Sequence, residues 1–557
     1  MADQDQSNLN DYFIKLKKTE AEELAQTLAR SLGLKYFDLE LRKPAPDILH
    51  LIPEADSREL KIAPIKKEAG VLIVGVYNPD DLKVKNYLEK LKQAGHRLEV
   101  GIISLNSLES VWPVYHFSQN KSVKYLETLE ISPEKLLAAI EGVKTIAEIK
   151  SKIETSTESN PFDILDYVLA GAFIFGASDI HFEPEEDRVN LKFRIDGILY
   201  QVAEIPLKVY RLIKNRIKLA AGMFLDVSDR AQDGRFAINL KDDLLDVRVS
   251  VVPGIHAETI VMRILNVKSI LLNLNELGFR PDDLELVKAT IKLPNGLILN
   301  TGPTGSGKTT TLYSILNMLK RPEIKIVTIE DPVEYQLEGI SQTQINVREG
   351  YTFANGLRSA LRQDPDVILV GEVRDHDTAE TAIQAALTGH LVLSTLHTNN
   401  SLGAMPRLIE LGVDKTLIPP SLRLIVAQRL VRKVCPKCRQ EYRPDQKIVE
   451  RIKLSLADLS PVVKSPLDLE KIKLAKAVGC DYCLKTGYKG RIGVFEFIKI
   501  TPAVEKIIYG EMTEADLLAQ IKKEGFVSLQ QDAIIKMLLG VTTIDEVERV
   551  TGPIVSN

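Results

Sequence analysis

Between residues 290 and 400, short apolar runs alternate with segments whose apolar residues recur at helical spacing. The runs are "GLILNTG", "KIVTIED", "VILVGEV" and "HLVLSTLH", and the first is followed by the helical pattern "KTTTLYSILNML". Strands that are apolar on both faces are typical of a parallel sheet covered by helices on both sides. The pattern therefore predicts an α/β core, to which we assign residues 286–430.

The chain before this core has a different pattern. Residues 1–120 mix the helical segment "EAEELAQTLARSLGL" with the strands "GVLIVGVYNPDDL" and "LEVGIISL", which predicts a small α/β or α+β domain. Residues 121–160 are charged and end in "ETSTESNP", which predicts a helical, partly flexible connector. Residues 161–285 hold the alternating strands "RVNLKFRIDGILY" and "DLLDVRVSVV" around the helix "PLKVYRLIKNRIKLAAGM", which predicts an α+β domain.

Length and composition narrow the class of protein. A chain of 557 residues should form several domains. Lys and Arg number 72 against 76 Asp and Glu, a net charge of -4, so no overall positive field attracts nucleic acid. The longest apolar run, Tyr167–Ser178, is shorter than the roughly 18 residues of a membrane span, and "MADQDQSNLNDYF" has no signal-peptide pattern. We expect a cytoplasmic protein that meets a membrane only through partners.

The segment "GPTGSGKTT" has the spacing of a phosphate-binding loop between a strand and a helix. Its glycines let successive backbone N–H groups face phosphates, and the helix N-terminus adds positive potential. We expect Lys308 to reach the β- and γ-phosphates of ATP and Thr309 to hold Mg²⁺. The predicted nucleotide site comprises Gly302, Pro303, Thr304, Gly305, Ser306, Gly307, Lys308, Thr309 and Thr310.

Two neighbouring strands end in acidic residues. "IVTIEDPVEY" supplies Glu330, Asp331 and Glu334, and "DVILVGEVRD" supplies Glu372 at a carboxyl end, where open α/β sheets bind ligands. Glu372 is predicted to hold Mg²⁺ through water or to polarise the attacking water, and Glu334 is the other candidate base. The alternatives are a turn at Asp331-Pro332 and a surface charge pair at Arg374-Asp375.

The blocks "GPTGSGKTTTLY", "TIEDPVEY", "RQDPDVILVGEVRD" and "TAIQAALTGHLVLSTLHTNN" resemble, in order and spacing, the secretion ATPase family. This family contains type IV pilus assembly (PilB-like) and type II secretion (GspE-like) motors. The blocks correspond to its Walker A motif, Asp box, Walker B motif and His box. "SDIHFEP", "RIDG" and "QDGR" resemble its second amino-terminal domain, and "LGLKYFDL" and "VYNPDDL" its first. The resemblance implies a RecA-like P-loop core preceded by two α+β domains.

The resemblance also implies roles for residues in the His box. His397 would follow a strand beside the Walker B strand and sense the γ-phosphate or couple it to a neighbouring domain. His390 precedes that strand and is expected to order the loop before it. Asn400 stands where many relatives carry Asp, so we assign it no catalytic role.

All four cysteines fall in two pairs, Cys435 with Cys438 and Cys480 with Cys483. Two such pairs form a tetrahedral S₄ site typical of structural zinc, so residues 431–500 are predicted to be a zinc-binding subdomain followed by a helical region over 501–557. Disulfides, a redox pair and a nucleic-acid-binding ribbon are the alternatives. The resemblance implies the metal-binding subdomain that faces the membrane platform protein. Retraction motors generally lack it, which favours an extension or secretion motor.

Two arginines in the middle domain are further candidates. Arg248 lies on the polar face of "LDVRVSVV", and Arg263 stands among apolar residues in "TIVMRIL", an expensive position unless it meets an anion. One interpretation is pairing with local carboxylates such as Asp246. The resemblance implies instead that both reach the γ-phosphate from the middle domain, as arginine fingers do.

Together with these features, the resemblance implies a hexameric motor ATPase that uses ATP, Mg²⁺ and Zn²⁺. Its partners would be an inner-membrane platform protein (PilC/GspF-like) and, as a further candidate, a cytoplasmic adaptor, so that the motor is peripherally associated with the inner membrane. Pilus assembly is favoured slightly over type II secretion. A nucleic-acid translocase and a nucleotide-gated adaptor without turnover are the other classes. "DYFIKLKKTEAEELAQ" lacks the family's signature for a cyclic dinucleotide, so that ligand is not predicted.

Overall fold

A computed structural model provides the fold of the chain. It divides into two compact units, residues 1–130 and 131–557. The structure describes residues 22–39, 44, 46–49, 51–68, 71–93, 97–119, 136, 139, 143, 145–240, 243–266, 272–511 and 513–554. The amino-terminal segment used to exclude a signal peptide lies outside these residues, as does most of the segment compared with the cyclic-dinucleotide signature and most of the predicted connector.

The first unit contains a four-stranded sheet in the order β1-β4-β3-β2, with β2 antiparallel to β3 and the other pairs parallel. Strand β3 carries an almost wholly buried apolar run, as its sequence predicts. The elements are β1 (Lys35–Tyr36), α1 (Pro46–Leu49), α2 (Glu54–Leu60), β2 (Ile62–Glu68), β3 (Val71–Val76), α3 (Leu82–Gln93), β4 (Arg97–Ile102) and α4 (Leu105–Gln119).

The second unit begins with a middle module built on a six-stranded antiparallel sheet in the order β7-β6-β5-β10-β9-β8. In the part of the chain that the structure describes, the module also contains three helices. The elements are α5 (Ile146–Ser159), α6 (Asp163–Phe175), β5 (Ala177–Pro184), β6 (Arg188–Ile195), β7 (Ile198–Pro206), α7 (Leu207–Ala220), β8 (Gln232–Leu240), β9 (Asp243–Val252) and β10 (Thr259–Asn266).

Helix α5 belongs to this module rather than to a flexible connector. Thr145 and Glu148 form a reciprocal capping box at its start, which satisfies two backbone N–H groups. Ile149 and Ile153 are fully buried in the core of the module. The predicted boundary at residue 160 therefore falls after a helix that packs with the middle module, because its apolar face needs the sheet and helix α6 to cover it.

The core carries a seven-stranded sheet in the order β13-β12-β14-β15-β11-β16-β19. Six strands are parallel and β19 is antiparallel to β16, so the predicted parallel sheet is confirmed. Its elements are α8 (Pro281–Thr290), β11 (Gly296–Thr301), α9 (Lys308–Leu319), β12 (Ile326–Glu330), β13 (Ser341–Gln344), α10 (Phe353–Leu361), β14 (Val367–Val370), α11 (His376–Leu387), β15 (Leu391–Leu396), α12 (Ala404–Glu410), α13 (Ile418–Ser421), β16 (Leu422–Val434) and β19 (Tyr488–Lys499).

The central sheet extends past the expected boundary at residue 430 and into the range assigned to the zinc subdomain. Strand β16 continues past residue 430, and β19 lies inside the range assigned to the zinc subdomain, so both edges of that range belong to the core sheet. Between them the chain leaves the sheet as a lobe and returns. The lobe and the following helices comprise β17 (Gln440–Tyr442), α14 (Gln446–Ser455), α15 (Pro461–Lys464), β18 (Leu474–Lys476), α16 (Pro502–Tyr509), α17 (Glu514–Lys523), α18 (Leu529–Leu538) and α19 (Ile544–Thr551).

The carboxyl-terminal helices contribute to two separate cores. Val504 and Ile508 of α16 are buried against the central sheet, whereas Ile534 and Met537 of α18 are buried with the apolar residues of the lobe. Within the described ranges, no helix has the length and apolarity needed to cross a membrane.

Candidate nucleotide site and cysteine cluster

The loop between β11 and α9 forms a cradle for phosphates. Gly302 and Gly307 have φ angles of 146° and 89°, and a Cβ at either position would lie within 3 Å of Gln428. Gln428 is buried, and its side-chain oxygen accepts hydrogen bonds from Asn300 (3.1 Å) and Thr311 (2.8 Å). Gln428 thus packs against one side of the loop and fixes its conformation, and the other side of the loop is free to bind a ligand.

Lys308 stands at the start of α9 and folds over the loop. Its Nζ donates to the carbonyl oxygens of Gly302 (2.7 Å) and Pro303 (3.1 Å). Burial lowers the pKa of Lys308, and the nearby Glu372 carboxylate opposes that effect. A terminal phosphate would replace these carbonyls as a stronger, charge-assisted acceptor.

The loop opens into a cavity of about 480 Å³, here called the phosphate cavity. It brings together the P-loop, the Asp box, the Walker B strand and the His box, with further residues from β10, β16 and β19. Its lining includes Arg263, Thr304, Gly305, Ser306, Gly307, Lys308, Thr309, Thr310, Glu330, Asp331, Glu334, Glu372, Arg374, His397, Leu430 and Arg491.

Glu372 and His397 are neighbours because β14 and β15 are parallel and in register, with Val370 opposite Ser394. The Nε2 atom of His397 lies 3.3 Å from one carboxylate oxygen of Glu372, and Arg374 lies 2.5 Å from the other. The Glu372 side chain is only 12% exposed, and it faces the same cavity as Thr309. A hydroxyl and a carboxylate on one cavity fit the oxygen ligands that Mg²⁺ prefers.

The three acids of the Asp box differ in their surroundings. Glu330 is buried, and its carboxylate accepts hydrogen bonds from Tyr313, Thr328 and Gln342, so its acceptors are occupied by the protein. Glu334 instead forms an ion pair of 2.8 Å with Arg248. Arg248 also donates to the carbonyl oxygen of Val333 (3.0 Å), which joins the middle module to the Asp box.

Arg263 differs from its sequence-based description. It is not enclosed by apolar residues, because Met262 and Ile264 point to the opposite, buried face of β10. Its side chain is 55% exposed, lines the phosphate cavity and pairs with Asp179 at 3.2 Å. The two arginines form ion pairs with Glu334 and Asp179 rather than with Asp246, the carboxylate of the local interpretation.

The polar end of β15 is largely held by the protein itself. Ser394 and Thr395 donate to the carbonyl oxygens of Val370 and Gly371, both at 2.8 Å. Asn400 accepts from the Gly403 N–H at 3.0 Å, and His390 contacts the Ala385 carbonyl oxygen at 3.1 Å. Of the polar residues in this stretch, His397 is the one that contacts a carboxylate lining the phosphate cavity.

The four cysteines converge, and their sulfur atoms all lie within 4.8 Å of one another. The Sγ–Sγ separations of Cys435 with Cys480, Cys438 with Cys483, and Cys480 with Cys483 are 3.8, 3.7 and 3.8 Å. Four sulfurs around one ion at Zn–S bonds of about 2.3 Å lie about 3.8 Å apart, whereas a disulfide requires about 2.05 Å. The arrangement fits a tetrahedral zinc ion and contains no disulfide.

Backbone N–H groups point at the sulfur atoms as they do around a metal-bound thiolate. Gly479 donates to Cys438 at 3.3 Å, and both Cys480 and Gly487 donate to Cys483 at 3.2 Å. Burial raises the pKa of the Cys483 thiol, but these two N–H groups and the neighbouring cysteines together lower that pKa to about 7. Burial and the neighbouring cysteines raise the pKa of the Cys438 thiol to about 12, so a metal that binds all four thiolates would displace protons from the cluster.

The sequence analysis did not identify three side chains at these sites. Gln428 lies in β16, Arg491 lies in β19, and Arg374 was considered only as part of a surface pair. No motif marks Gln428 or Arg491, because each reaches the site through sheet pairings far along the chain. The sequence signal available for Gln428 was a polar residue in an otherwise apolar strand.

Comparison with known proteins identifies two families. Residues 156–549 match the family described as type II/IV secretion system protein, and residues 32–104 match the MshEN domain. The type IV pilus assembly ATPase PilB of Pseudomonas aeruginosa is 37% identical, covering 99% of this chain and 94% of its own length. The type II secretion system protein E of the same organism is also 37% identical, covering 91% of this chain and 99% of its own.

A solved structure supports the fold. The Yersinia pseudotuberculosis ATPase DotB aligns with a TM-score of 0.52 at 23% identity, covering 71% of this chain and 94% of that one. The predicted ATPase core and the predicted family are confirmed. From the P-loop cavity and from matches that extend over nearly the whole sequence, we conclude that the chain belongs to the type II/IV secretion system protein family and is one of its ATPases.

Proposed function

We propose that the protein is a cytoplasmic, homohexameric motor that hydrolyses ATP to power type IV pilus assembly at the inner membrane. The observation that carries the proposal is the phosphate cavity, which joins a P-loop lysine to two separately held carboxylates, Glu334 and Glu372. An enzyme that only hydrolysed ATP would need no contact between its nucleotide site and the middle module. The ion pair between Arg248 and Glu334 links the nucleotide site to a second folded module, as a motor requires.

In the proposed mechanism, the P-loop N–H groups and Lys308 bind the terminal phosphates. Thr309 and Glu372 would hold Mg²⁺, which would supply neutralisation of the phosphate charge. Glu372 also orients the attacking water, and His397 fixes the Glu372 carboxylate from the side. Glu334 is the second candidate for the base. Phosphoryl transfer depends mainly on positioning and charge stabilisation, which these groups provide.

Movement follows from the two arginines of the middle module. Before a nucleotide is bound, Arg248 and Arg263 are neutralised by Glu334 and Asp179. A γ-phosphate in the phosphate cavity competes for both guanidinium groups, and arginine binds phosphate in a bidentate, directional way. The position of the middle module then changes with the state of the nucleotide.

The cysteine cluster is proposed to hold one structural Zn²⁺, whose chemistry here is to cross-link two chain segments. Cys435 and Cys438 follow β16, and Cys480 and Cys483 precede β19, so the ion would close the lobe at its base. The lobe is proposed to face the platform protein in the inner membrane, with a cytoplasmic adaptor as a further partner. Both assignments follow the family's pattern.

Type II secretion is the second candidate, because one of its ATPases is equally similar in sequence. Pilus assembly is favoured because the aligned region covers 99% of the chain against 91%. A nucleic-acid translocase is disfavoured by the net charge of -4. Deletion of the gene in its own host distinguishes pilus assembly from type II secretion. Loss of surface pili with normal protein export supports pilus assembly, and loss of protein export with normal pili supports secretion.

The biochemical test compares phosphate release by the wild type and Lys308→Ala. We expect Lys308→Ala to lower turnover by at least ~100-fold, because a preorganised charge at the transferred phosphate is lost. Lys320→Ala, at the exposed far end of the same helix, is the matched control and should retain full activity. Stimulation by the cytoplasmic domain of a platform protein, and not by DNA, is expected. Near-normal turnover in Lys308→Ala would overturn the proposal.

A further inference from the structure

Glu496 is a buried carboxylate in β19, away from the lining of the phosphate cavity. The residue is only 4% exposed. One carboxylate oxygen accepts hydrogen bonds from the Ser401 N–H (2.7 Å) and from the Ser401 hydroxyl, and the other accepts from the Leu529 N–H (3.1 Å). A buried charge is costly unless hydrogen bonds compensate it. Glu496 therefore binds two chain segments that are far apart in sequence.

Ser401 ends the short loop that begins with His397. Strand β15 ends at Leu396, which is buried, and Ser401 at the other end of the loop is fully buried. Between them, the carbonyl oxygen of Asn399 accepts a hydrogen bond from Arg429 at 2.9 Å. The loop is thus fixed at both ends and at one point between, and the direction in which His397 leaves the sheet depends on these contacts.

We propose that Glu496 is a positioning residue for ATP hydrolysis, which fixes Ser401 and thereby holds the His397 imidazole against the Glu372 carboxylate. The inference rests on the proposed role of His397, whose Nε2 atom lies 3.3 Å from Glu372. It adds a residue outside the four family motifs. A displacement of about 1 Å in a group that positions a reactant can lower the rate about 100-fold, so a contact outside the cavity can control turnover.

The arrangement around Glu496 requires a carboxylate. All three groups that contact it are donors, and an ionised carboxylate only accepts. A glutamine of the same size would turn its NH₂ group toward either Ser401 or Leu529 and place a donor against a donor. Hydrogen bonds to a charged acceptor are also stronger than neutral ones, so the carboxylate restrains Ser401 more firmly than an amide would.

The second carboxylate oxygen connects the loop to the carboxyl-terminal helices. Leu529 is the first residue of α18, where a backbone N–H has no partner within the helix and a negative charge is favourable. Asp532 of the same helix accepts the Phe495 N–H at 2.8 Å. Helix α18 is therefore bound to β19 at two consecutive strand residues, and Glu496 is held in place by a packed helix.

The first test is steady-state ATP hydrolysis by the full-length protein. We expect Glu496→Gln to lower kcat by at least ~10-fold and to leave KM and the affinity for Mg-ADP within about 2-fold, because the phosphate-binding residues are unchanged. Ser401→Ala removes one donor and should lower kcat by about 3-fold. Glu524→Gln, which alters an exposed carboxylate 2.9 Å from the Thr501 hydroxyl, is the matched control and should hydrolyse ATP normally.

Normal kcat in folded Glu496→Gln would overturn the inference. If Glu496→Gln does not fold, normal kcat in Ser401→Ala would overturn it instead. A higher KM with unchanged kcat would also overturn it, because the contact would then serve nucleotide binding rather than the position of His397.

The second test is a double-mutant cycle measured by single-turnover phosphate release. In the His397→Ala background, Glu496→Gln should change the rate by less than about 2-fold, because the side chain that it positions is absent. An equal loss in both backgrounds would contradict the inference. Normal turnover in His397→Ala alone would remove the role proposed for His397 and the inference with it. Slow turnover in His397→Ala beside normal turnover in Glu496→Gln would overturn the inference and leave the proposed function intact.

Discussion

At the scale of single residues, the carboxylates near the phosphate cavity differ in their hydrogen-bond and ion-pair partners. Glu330 is buried and already accepts three hydrogen bonds from protein donors, which leaves its carboxylate little capacity for a water or a metal. Glu372 and Glu334 instead each face a cation or a histidine across the cavity. A nucleophilic water needs an acceptor that the protein has not already filled, which makes these two the candidates for hydrolysis.

Glu372→Gln should leave Mg-ATP binding within about 3-fold of the wild type and lower hydrolysis by at least ~100-fold. The amide keeps the size and shape of the side chain but cannot accept a proton. Equilibrium binding and single-turnover phosphate release measure the two effects separately. If nucleotide binding were lost together with turnover, the role assigned to Glu372 would be wrong.

Arg248→Ala and Arg263→Ala should each lower turnover by at least ~10-fold and affect nucleotide binding far less. Arg248 reaches the Asp box through Glu334, and Arg263 already lines the cavity, so both are positioned to meet charge that develops during hydrolysis. Steady-state kinetics of the two variants measure the effect. Arg188→Ala is the control, because Arg188 is a surface arginine paired with Glu185. Full activity in both variants, in an intact assembly, would leave these arginines as ion-pair partners alone.

At the scale of elements, parallel pairing explains why distant motifs share one edge of the sheet. Strands β11, β14 and β15 run in the same direction, so the P-loop, Glu372 and His397 all leave the sheet at its carboxyl edge. Side-chain hydroxyls at the end of β15 bond across to β14 and hold the two strand ends together. The spacing of Glu372 and His397 therefore depends on strand register rather than on either loop.

The purified protein should contain one zinc per chain, which elemental analysis would detect. Cys435→Ser or Cys480→Ser should abolish stoichiometric zinc and destabilise the lobe, because the ion would cross-link segments about 40 residues apart. All four cysteines of the chain lie in the cluster and would be metal ligands, so the native thiols should resist titration until a chelator is added. No more than a trace of metal, with all four thiols reactive in the native protein, would defeat the zinc assignment.

At the scale of the whole molecule, the second unit places the nucleotide between two folded parts. Arg263 lines the phosphate cavity from the middle module, Arg248 pairs with Glu334 in its lining, and the P-loop, Glu372 and His397 line it from the core. A ligand in this cavity would contact both parts, which is why the proposal couples hydrolysis to their contact. This arrangement is the physical basis for the proposed motor, independent of the cargo.

Light scattering of the wild type and of Glu372→Gln with Mg-ATP should give a mass six times that of one chain. The Glu372→Gln variant is included because bound ATP persists long enough to stabilise any assembly that depends on it. Lys308→Ala is the nucleotide-free control and should assemble less completely. A monomer or dimer at every protein and nucleotide concentration would contradict the hexamer.

The sequence alone was sufficient to predict the P-loop, the parallel sheet and the four-cysteine cluster. Each is written in local spacing: the Gly302–Lys308 interval, the apolar strands followed by helices, and the two Cys-x-x-Cys pairs. Such patterns can be recognised in the sequence because the backbone conformation or the ligand geometry that they produce involves residues close together in the chain. The family resemblance came from the order of these motifs and is confirmed by the comparisons.

Only the tertiary structure showed which groups meet across long stretches of chain. It assigned helix α5 to the middle module, extended the sheet through β16 and β19, paired Arg263 with Asp179 and brought Gln428 and Arg491 to the nucleotide site. None of these follows from local periodicity, because a strand's apolar pattern states that it is buried without stating which strand lies beside it. Pairing partners are chosen by the packing of the whole domain, and that choice determines which side chains share a cavity.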